Sequence, residues 1–194
     1  VEKEENEAVA LQASRESIVL LKNENNTLPL DITSVKKIAV CGPNAAEKAY
    51  ALTHYGPLAV EVTTVVDGLR EKLNGKAEVL YTKGCDLVDA HWPESEIIDY
   101  PLSKDEQSEI DKAVAQAQEA DVAVVVLGGG QRTCGENKSR SSLDLPGRQL
   151  DLLKAVQATG KPVILVLING RPLSVNWADK FVPAILEAWY PGSK

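Results

Sequence analysis

The residue types best suited to chemistry lie in a long polar loop that starts at Gly128-Gly129-Gly130. Glu136 is its only carboxylate between Gly128 and Ser142, set among Gly, Ser, Asn and two arginines. The apolar run Val122–Leu127 precedes the loop and has the composition of a buried strand. Open α/β sheets place their chemistry on loops that leave the carboxyl ends of strands. A loop this long is usually either functional or disordered, so Glu136 is the first catalytic candidate.

The residues alone leave two interpretations of Glu136 open. A glutamate on a Gly- and Ser-rich loop can swing to a substrate and act as a proton donor. It can also be a solvated loop residue, which is the commoner situation for a glutamate and the one that chemistry alone favours. Glycoside hydrolysis needs two carboxyl groups flanking the bond, and the loop supplies one.

Other chemistries fit this loop poorly. A dinucleotide fingerprint needs a third glycine where the chain has Thr133, and it needs a helix that opens at once. The next strand also ends in Asn169 rather than in Asp or Glu. The chain has no Gly-Lys-Ser/Thr for a phosphate loop and no Gly-x-Ser-x-Gly for a serine hydrolase.

No metal site or cofactor is predicted. The two histidines, His54 and His91, are isolated in loop-like segments and are expected to be surface or wall residues. The three cysteines are far apart, with no C-x-x-C spacing, so neither a disulfide framework nor a zinc site is indicated. Free, partly buried thiols are expected at Cys41, Cys85 and Cys134.

Composition excludes several partner classes. The 194 residues are enough for one sizeable core, and the net charge of −7 with dispersed basic residues argues against a nucleic-acid surface. No apolar run approaches the roughly 20 residues of a membrane span, so no membrane partner is predicted. The acidic start without an initiator Met suggests a fragment or a processed segment.

Short apolar runs alternate with helical patterns along the chain. A first helix is predicted over Asn6–Lys22, with Asn6 as its N-cap. Further helices are predicted over Val65–Leu73, behind a capping box of Ser103 and Glu106, over Arg148–Thr159 and over Ser174–Lys180. The predicted strands are Ile38–Cys41, Glu78–Tyr81, Val122–Leu127, Val163–Ile168 and Ala184–Glu187. Near-continuous apolar strands between helices indicate an α/β fold, a three-layer α/β/α sandwich with a mostly parallel sheet of about five strands.

Several motifs together resemble the second, α/β-sandwich domain of glycoside hydrolase family 3, the β-glucosidase and β-xylosidase family. The resemblance covers nearly the whole chain. The similar segments are Ser14–Asn23 with Leu28-Pro29-Leu30, Ile38–Ala45, Asp121–Gly128, Glu136–Gln149, Val166–Pro172 and Ala188–Gly192.

The resemblance implies a retaining β-glycosidase with a split active site. The nucleophilic Asp would lie on a (β/α)8 barrel that precedes this domain, and the acid/base Glu would come from a loop of the sandwich. That position is Glu136, four residues before Arg140, which is expected to bind substrate. Two departures affect neighbouring sugar contacts: Gly129 stands where many relatives have Glu, and Ser139 where many have Asp. The implied partners are β-linked glucoside or xyloside oligosaccharides and the N-terminal barrel, with no cofactor.

The expected organisation follows from the same resemblance. Residues 1–34 would form a helix and linker leading in from the barrel, and residues 35–194 the sandwich domain, truncated at its C-terminus. Such a segment is expected to be inactive alone, and a periplasmic or secreted location is expected for the enzyme. The alternative function is a non-catalytic carbohydrate-binding or structural sandwich domain.

Overall fold

The computed structural model describes residues 3–49, 61–190 and 192. Its strands are Val19–Asn23 (β1), Lys37–Cys41 (β2), Glu78–Thr82 (β3), Val122–Gly128 (β4), Val163–Ile168 (β5) and Ala184–Glu187 (β6). They form one sheet in the order β1-β6-β5-β4-β2-β3. Strands β2 to β6 are parallel, and β1 pairs antiparallel with β6.

The described part of the chain has five α-helices, and all but the first cover the faces of this sheet. They are Glu4–Ser17 (α1), Val65–Leu73 (α2), Lys104–Glu119 (α3), Gln149–Gln157 (α4) and Asn176–Phe181 (α5). Alternate residues of the strands point to opposite faces, so the core divides into two apolar clusters. Side chains of α3, α4 and α5 fill one cluster, and those of α2 fill the other. The predicted three-layer sandwich is confirmed.

The five predicted strands are all present, each within one residue of its predicted bounds. The central strand β4 is buried along its whole length, which explains why its sequence is continuously apolar. The capping box of α3 is confirmed too: the Ser103 hydroxyl accepts the Glu106 N–H at 3.2 Å, and the Ser103 N–H donates to the Glu106 carboxylate at 2.8 Å.

The predicted first helix is wrong after residue 17. Helix α1 ends at Ser17, and Val19–Asn23 forms β1, a sixth strand at the edge of the sheet. Residue Asn6 is not the N-cap, because the helix begins at Glu4 with Lys3 in the capping position. Helix α1 buries none of its residues, so it contributes no side chain to the two apolar clusters.

The register of the sheet places the loop that follows Gly128 at the edge formed by the carboxyl ends of the strands. Gly128 lies opposite Ile168, so β4 and β5 end at the same level. The parallel strands therefore present their carboxyl ends together, where the segments after Cys41, Gly128 and Ile168 meet. The order of strands reverses between β2 and β4, and open α/β sheets bind ligands at such a point.

Within the described residues, no helix is both long enough and apolar enough to cross a membrane.

Candidate active site

Glu136 lies at an exposed point of the loop that joins β4 to α4, residues 129–148, hereafter the β4–α4 loop. The residues on either side, Gly135 and Asn137, both have positive φ angles, of 134° and 58°. The Lys138 N–H closes this short turn on the Gly135 carbonyl at 3.3 Å. Within the described residues, the Glu136 carboxylate forms no hydrogen bond or ion pair. The turn therefore presents a carboxylate that no neighbour has engaged.

Gln149 fixes the start of the loop. Its side chain is fully buried, and its amide oxygen accepts the Gly128 N–H at 2.7 Å. Its amide nitrogen donates to the carbonyls of Gly128, at 3.0 Å, and Leu87, at 2.8 Å. One side chain thus satisfies both polar groups of Gly128 where the sheet ladder ends.

Gly128 is required by its own backbone. Its φ is 138°, and a Cβ there would lie 2.0 Å from the Ile168 carbonyl oxygen. Gly42, after β2, has a φ of 112°, and a Cβ added there would lie 2.0 Å from the Val126 carbonyl oxygen. These glycines allow three strand ends to approach one another closely.

Asn44 ties those strand ends together. Its buried side-chain amide donates to the carbonyls of Gly129, at 2.9 Å, and Ile168, at 3.0 Å. In the sequence Asn44 is merely a turn former after β2, and its role depends on partners 85 and 124 positions away.

The Gly-rich run is not a phosphate cradle. The Gly128 N–H is bound by Gln149, the Gly129 N–H donates to the Ile168 carbonyl at 2.9 Å, and the Gly130 N–H donates to the Thr133 hydroxyl at 3.0 Å. A dinucleotide or phosphate site needs such N–H groups to be free for the ligand. The structure agrees with the poor fit of the sequence to nucleotide-binding motifs.

Arg140 lies four residues beyond Glu136 and is engaged within the domain. Its guanidinium pairs with Glu96, donates to the Asp144 carbonyl at 2.7 Å, and lies 5.3 Å from the centre of the Trp92 ring. Its side chain is 6% exposed. The predicted contact of Arg140 with substrate stays a prediction, but its first partners are protein groups.

Glu96 holds Arg140 and Ser141 of the loop, and the sequence does not reveal this contact. It ends a short 3-10 turn, Glu94–Glu96, in a segment without periodicity. Its second carboxylate oxygen accepts the Ser141 N–H at 2.8 Å and the Ser141 hydroxyl at 2.9 Å. Burial opposes ionisation of Glu96, but the hydrogen bonds from Ser141 and Arg140 outweigh it and lower the pKa of the carboxyl.

The turn after β5 forms the floor beneath the loop. Asn169 is 1% exposed, and its side-chain amide donates to the Arg171 carbonyl at 2.8 Å. Arg171 in turn donates to the Lys138 carbonyl at 2.6 Å, two residues after Glu136. Glu187 at the end of β6 is buried, which raises the pKa of its carboxyl despite the Trp189 N–H and Asn169 nearby.

A concavity of about 420 Å³ opens beside the start of the loop, where β2 and β4 diverge. This volume is within the range of small-ligand pockets, and its walls carry both signs of charge. The polar lining includes Asn44, Glu47, Lys83, Asp86, Gln131 and Arg132. A second concavity, of about 220 Å³, lies beside Arg140 and Arg171.

The three cysteines are free thiols, as predicted. Cys41 and Cys85 are buried, and burial raises the pKa of Cys41 to about 12. Cys134 is partly buried in the β4–α4 loop. Neutral buried thiols are inert packing groups, so Cys41 and Cys85 carry no chemistry here. Of the two histidines, His91 is exposed, as predicted, and His54 lies outside the described residues.

A mostly parallel sheet with helices on both faces, and with Glu136 exposed on a loop at its carboxyl edge, defines the class: a three-layer α/β/α sandwich domain. Comparison with known proteins identifies the family. Residues 18–194 match the glycosyl hydrolase family 3 C-terminal domain. The chain therefore belongs to glycoside hydrolase family 3.

Individual relatives agree. A β-xylosidase of Formosa agariphila is 41% identical over 98% of this chain, and a periplasmic β-glucosidase of Salmonella typhimurium is 37% identical over 95%. Among solved structures, a β-glucosidase of Erythrobacter marinus matches 99% of this chain with a TM-score of 0.82 and 36% identity. A β-glucosidase of Listeria innocua, in complex with isofagomine, matches all of it with a TM-score of 0.80 and 32% identity.

The chain spans about a quarter of the length of these relatives: 25% of both curated proteins, and 27% and 24% of the two solved chains. It corresponds to the C-terminal domain of larger glycoside hydrolases.

Proposed function

We propose that this domain completes the active site of a retaining β-glycosidase and that Glu136 is its general acid/base. The nucleophilic carboxylate would come from a (β/α)8 barrel in the same protein. The observation that carries the proposal is the placement of Glu136. It is an exposed carboxylate on a loop at the carboxyl edge of the sheet, four residues before the anchored Arg140, and it has no hydrogen bond or ion pair within the described residues.

The chemistry divides between two carboxyl groups. The barrel carboxylate attacks the anomeric carbon while Glu136, as the acid, protonates the departing glycosidic oxygen. Glu136 then acts as base on the water that hydrolyses the glycosyl-enzyme, which returns its proton. Retaining enzymes need the two carboxyl groups about 5–5.5 Å apart, so the loop must reach across the barrel mouth.

The construction of the loop supports this role. Gln149 and Asn44 fix its start, and Glu96 holds Arg140 and Ser141, so Glu136 lies between two anchored points of the loop. An acid/base residue needs a loop that is anchored to the domain and extends far enough to place the carboxyl group at the substrate. Proton transfer requires the carboxyl group to come within hydrogen-bond distance of the substrate.

The substrates we propose are β-linked glucoside or xyloside oligosaccharides. Both kinds of enzyme name occur among the relatives, at 41% identity for a β-xylosidase and 37% for a β-glucosidase. No cofactor is part of the proposed reaction.

The test is a Glu136→Gln variant of the full-length protein, compared with Glu119→Gln, an exposed carboxylate near the opposite edge of the sheet. Loss of the proton donor should slow hydrolysis of a disaccharide by about 10²–10⁴-fold. Formation of the glycosyl-enzyme from a nitrophenyl glycoside should be slowed much less, because that leaving group departs without protonation. An equal loss on both substrates would make Glu136 a binding residue, and full activity would favour a non-catalytic sandwich.

A further inference from the structure

A carboxylate from a distant segment holds the middle of the β4–α4 loop, shortly after Glu136. Glu96 is 44 positions before Arg140, yet one of its oxygens pairs with the Arg140 guanidinium. The other accepts both the N–H and the hydroxyl of Ser141. The Glu96 side chain is 5% exposed and that of Arg140 6%, whereas Ser141 lies at the surface.

This contact lies where it can set the position of Glu136. Arg140 and Ser141 follow Glu136 by four and five residues, and Arg171 holds the Lys138 carbonyl between them. The start of the loop is held independently by Gln149. Release of Glu96 would therefore remove the bonds at residues 140 and 141. The Gln149 anchor, the Arg171 bond to Lys138 and the 2.8 Å bond from the Ser174 N–H to the Leu143 carbonyl would remain.

The segment that carries Glu96 is itself braced. The rings of His91 and Tyr100 stack with centroids 3.9 Å apart and 7° between their planes. Trp92 from the same segment lies against the Arg140 guanidinium, at 5.3 Å from the ring centre. These ring contacts therefore fix the position of the short turn that carries Glu96.

We propose that Glu96 is a positioning residue for hydrolysis, because it holds Arg140 and Ser141 of the β4–α4 loop so that Glu136 can reach the glycosidic oxygen. The proposal rests on the proposed acid/base role of Glu136. Glu96 touches neither substrate nor reacting atoms and acts through Arg140 and Ser141.

The role calls for a carboxylate in particular. Ser141 and Arg140 present only donors to Glu96, and a glutamine would turn one NH₂ donor toward them. A glutamine would also leave the buried Arg140 charge without its counter-ion, so the guanidinium would move toward water. Since misplacement by about 1 Å can cost about 10²-fold in rate, a modest shift of the loop is enough to be measured.

The experiment uses the full-length protein with Glu96→Gln, Glu136→Gln and the double variant, and Asp99→Asn as the matched control. Asp99 is exposed, carries the same charge and lies in the same segment. With a disaccharide, Glu96→Gln should lower kcat by about 10–100-fold and change KM less than about 3-fold. With a nitrophenyl glycoside the formation of the glycosyl-enzyme should change little, and Asp99→Asn should match the unsubstituted protein on both substrates.

The double variant separates positioning from general damage. If Glu96 acts through Glu136, adding Glu96→Gln to Glu136→Gln should slow disaccharide hydrolysis no further. Additive losses, or a Glu96→Gln loss equal on both leaving groups, would overturn the positioning role. If Glu136→Gln alone shows no leaving-group dependence, the proposed acid/base function fails first, and the Glu96 proposal fails with it.

Folding is followed by near-ultraviolet circular dichroism. Should Glu96→Gln not fold, Ser141→Ala replaces it, because it removes one hydroxyl donor and keeps the ion pair. Ser141→Ala should lower kcat on the disaccharide by about 2–5-fold with the same leaving-group pattern. Unchanged kcat in a folded Ser141→Ala variant would overturn the proposal in that case.

Discussion

Gln149 shows how much of the candidate site depends on single buried side chains. It bonds both polar groups of Gly128 and the Leu87 carbonyl, at the point where β4 leaves the sheet. We expect Gln149→Leu to lower the free energy of unfolding by about 3 kcal/mol, since it strands buried polar groups. Urea unfolding measures this, with Gln118→Leu on the exposed side of α3 as the control. Equal midpoints for the two variants would show that Gln149 is dispensable.

Gly128 gives a sterically sharper prediction. A methyl group there would meet the Ile168 carbonyl at 2.0 Å, so Gly128→Ala should cost more than about 4 kcal/mol or prevent folding. Gly75 also has a positive φ, of 76°, but a methyl group added to it would meet no atom within 4 Å. Gly75→Ala should therefore cost about 1–2 kcal/mol. Thermal unfolding of both variants tests the comparison, which fails if Gly128→Ala is the milder change.

At the scale of single residues, some residues of the candidate site can be identified from the sequence and others cannot. Glu136 can be found because it is the only carboxylate between Gly128 and Ser142, in a long polar loop after an apolar strand. Glu96 cannot, because its partners are 44 and 45 positions away and its own segment has no helical or strand period. Long-range polar pairing leaves no periodic signal in a single sequence.

The β4–α4 loop is the element that the site depends on, and its anchors predict uneven motion. The Gly128 N–H is buried against Gln149, whereas residues 135–139 are exposed. Amide exchange in the chain should be fastest over residues 135–139 and slow at Gly128. Amide exchange over residues 135–139 as slow as that in β4 would contradict the expected motion of this part of the loop.

The Glu96 contact predicts how the stability of this element changes with pH. The folded pKa of Glu96 lies below its ordinary value of 4.5, so its stabilising effect is complete above that value and is lost as pH falls through the folded pKa. The stability difference between the unsubstituted chain and Glu96→Gln should be largest near neutral pH and shrink below about pH 4. Urea midpoints at both pH values measure it, with Asp99→Asn as reference. A difference that grows in acid would contradict the lowered pKa.

The N-terminal segment shows where element prediction fails. The apolar residues up to Leu21 continue the helical pattern of α1, so the sequence favours one helix. Strand β1 forms instead because Val19–Asn23 pairs with β6, more than 160 positions later. Pairing energy from a distant strand overrides local propensity, and only the assembled sheet contains it.

The whole molecule is predicted well because its strands are so apolar. Continuous apolar runs separated by helices specify a parallel sheet with two covered faces, and the structure has one. The order of the strands depends on how the helices pack, so the hydrophobic periodicity of the sequence does not predict it. The concavity between β2 and β4 follows from that order and is not predicted either.

At the scale of the whole chain, the proposed split site predicts inactivity. The 194-residue chain carries the acid/base candidate and should not hydrolyse aryl β-glycosides above background, because double displacement needs a second carboxylate placed opposite. Assay of the pure chain beside the full-length protein tests this. Turnover by the isolated chain would mean that both groups lie within it.

The most direct measurement is azide rescue of Glu136→Gln in the full-length protein with a nitrophenyl glycoside. Without its base, the variant should accumulate the glycosyl-enzyme, because the same residue must activate water in the second step. Azide needs no base, so it should restore turnover and give the β-glycosyl azide as product. If azide leaves the rate unchanged and no glycosyl azide forms, Glu136 is not the acid/base residue of the proposed site.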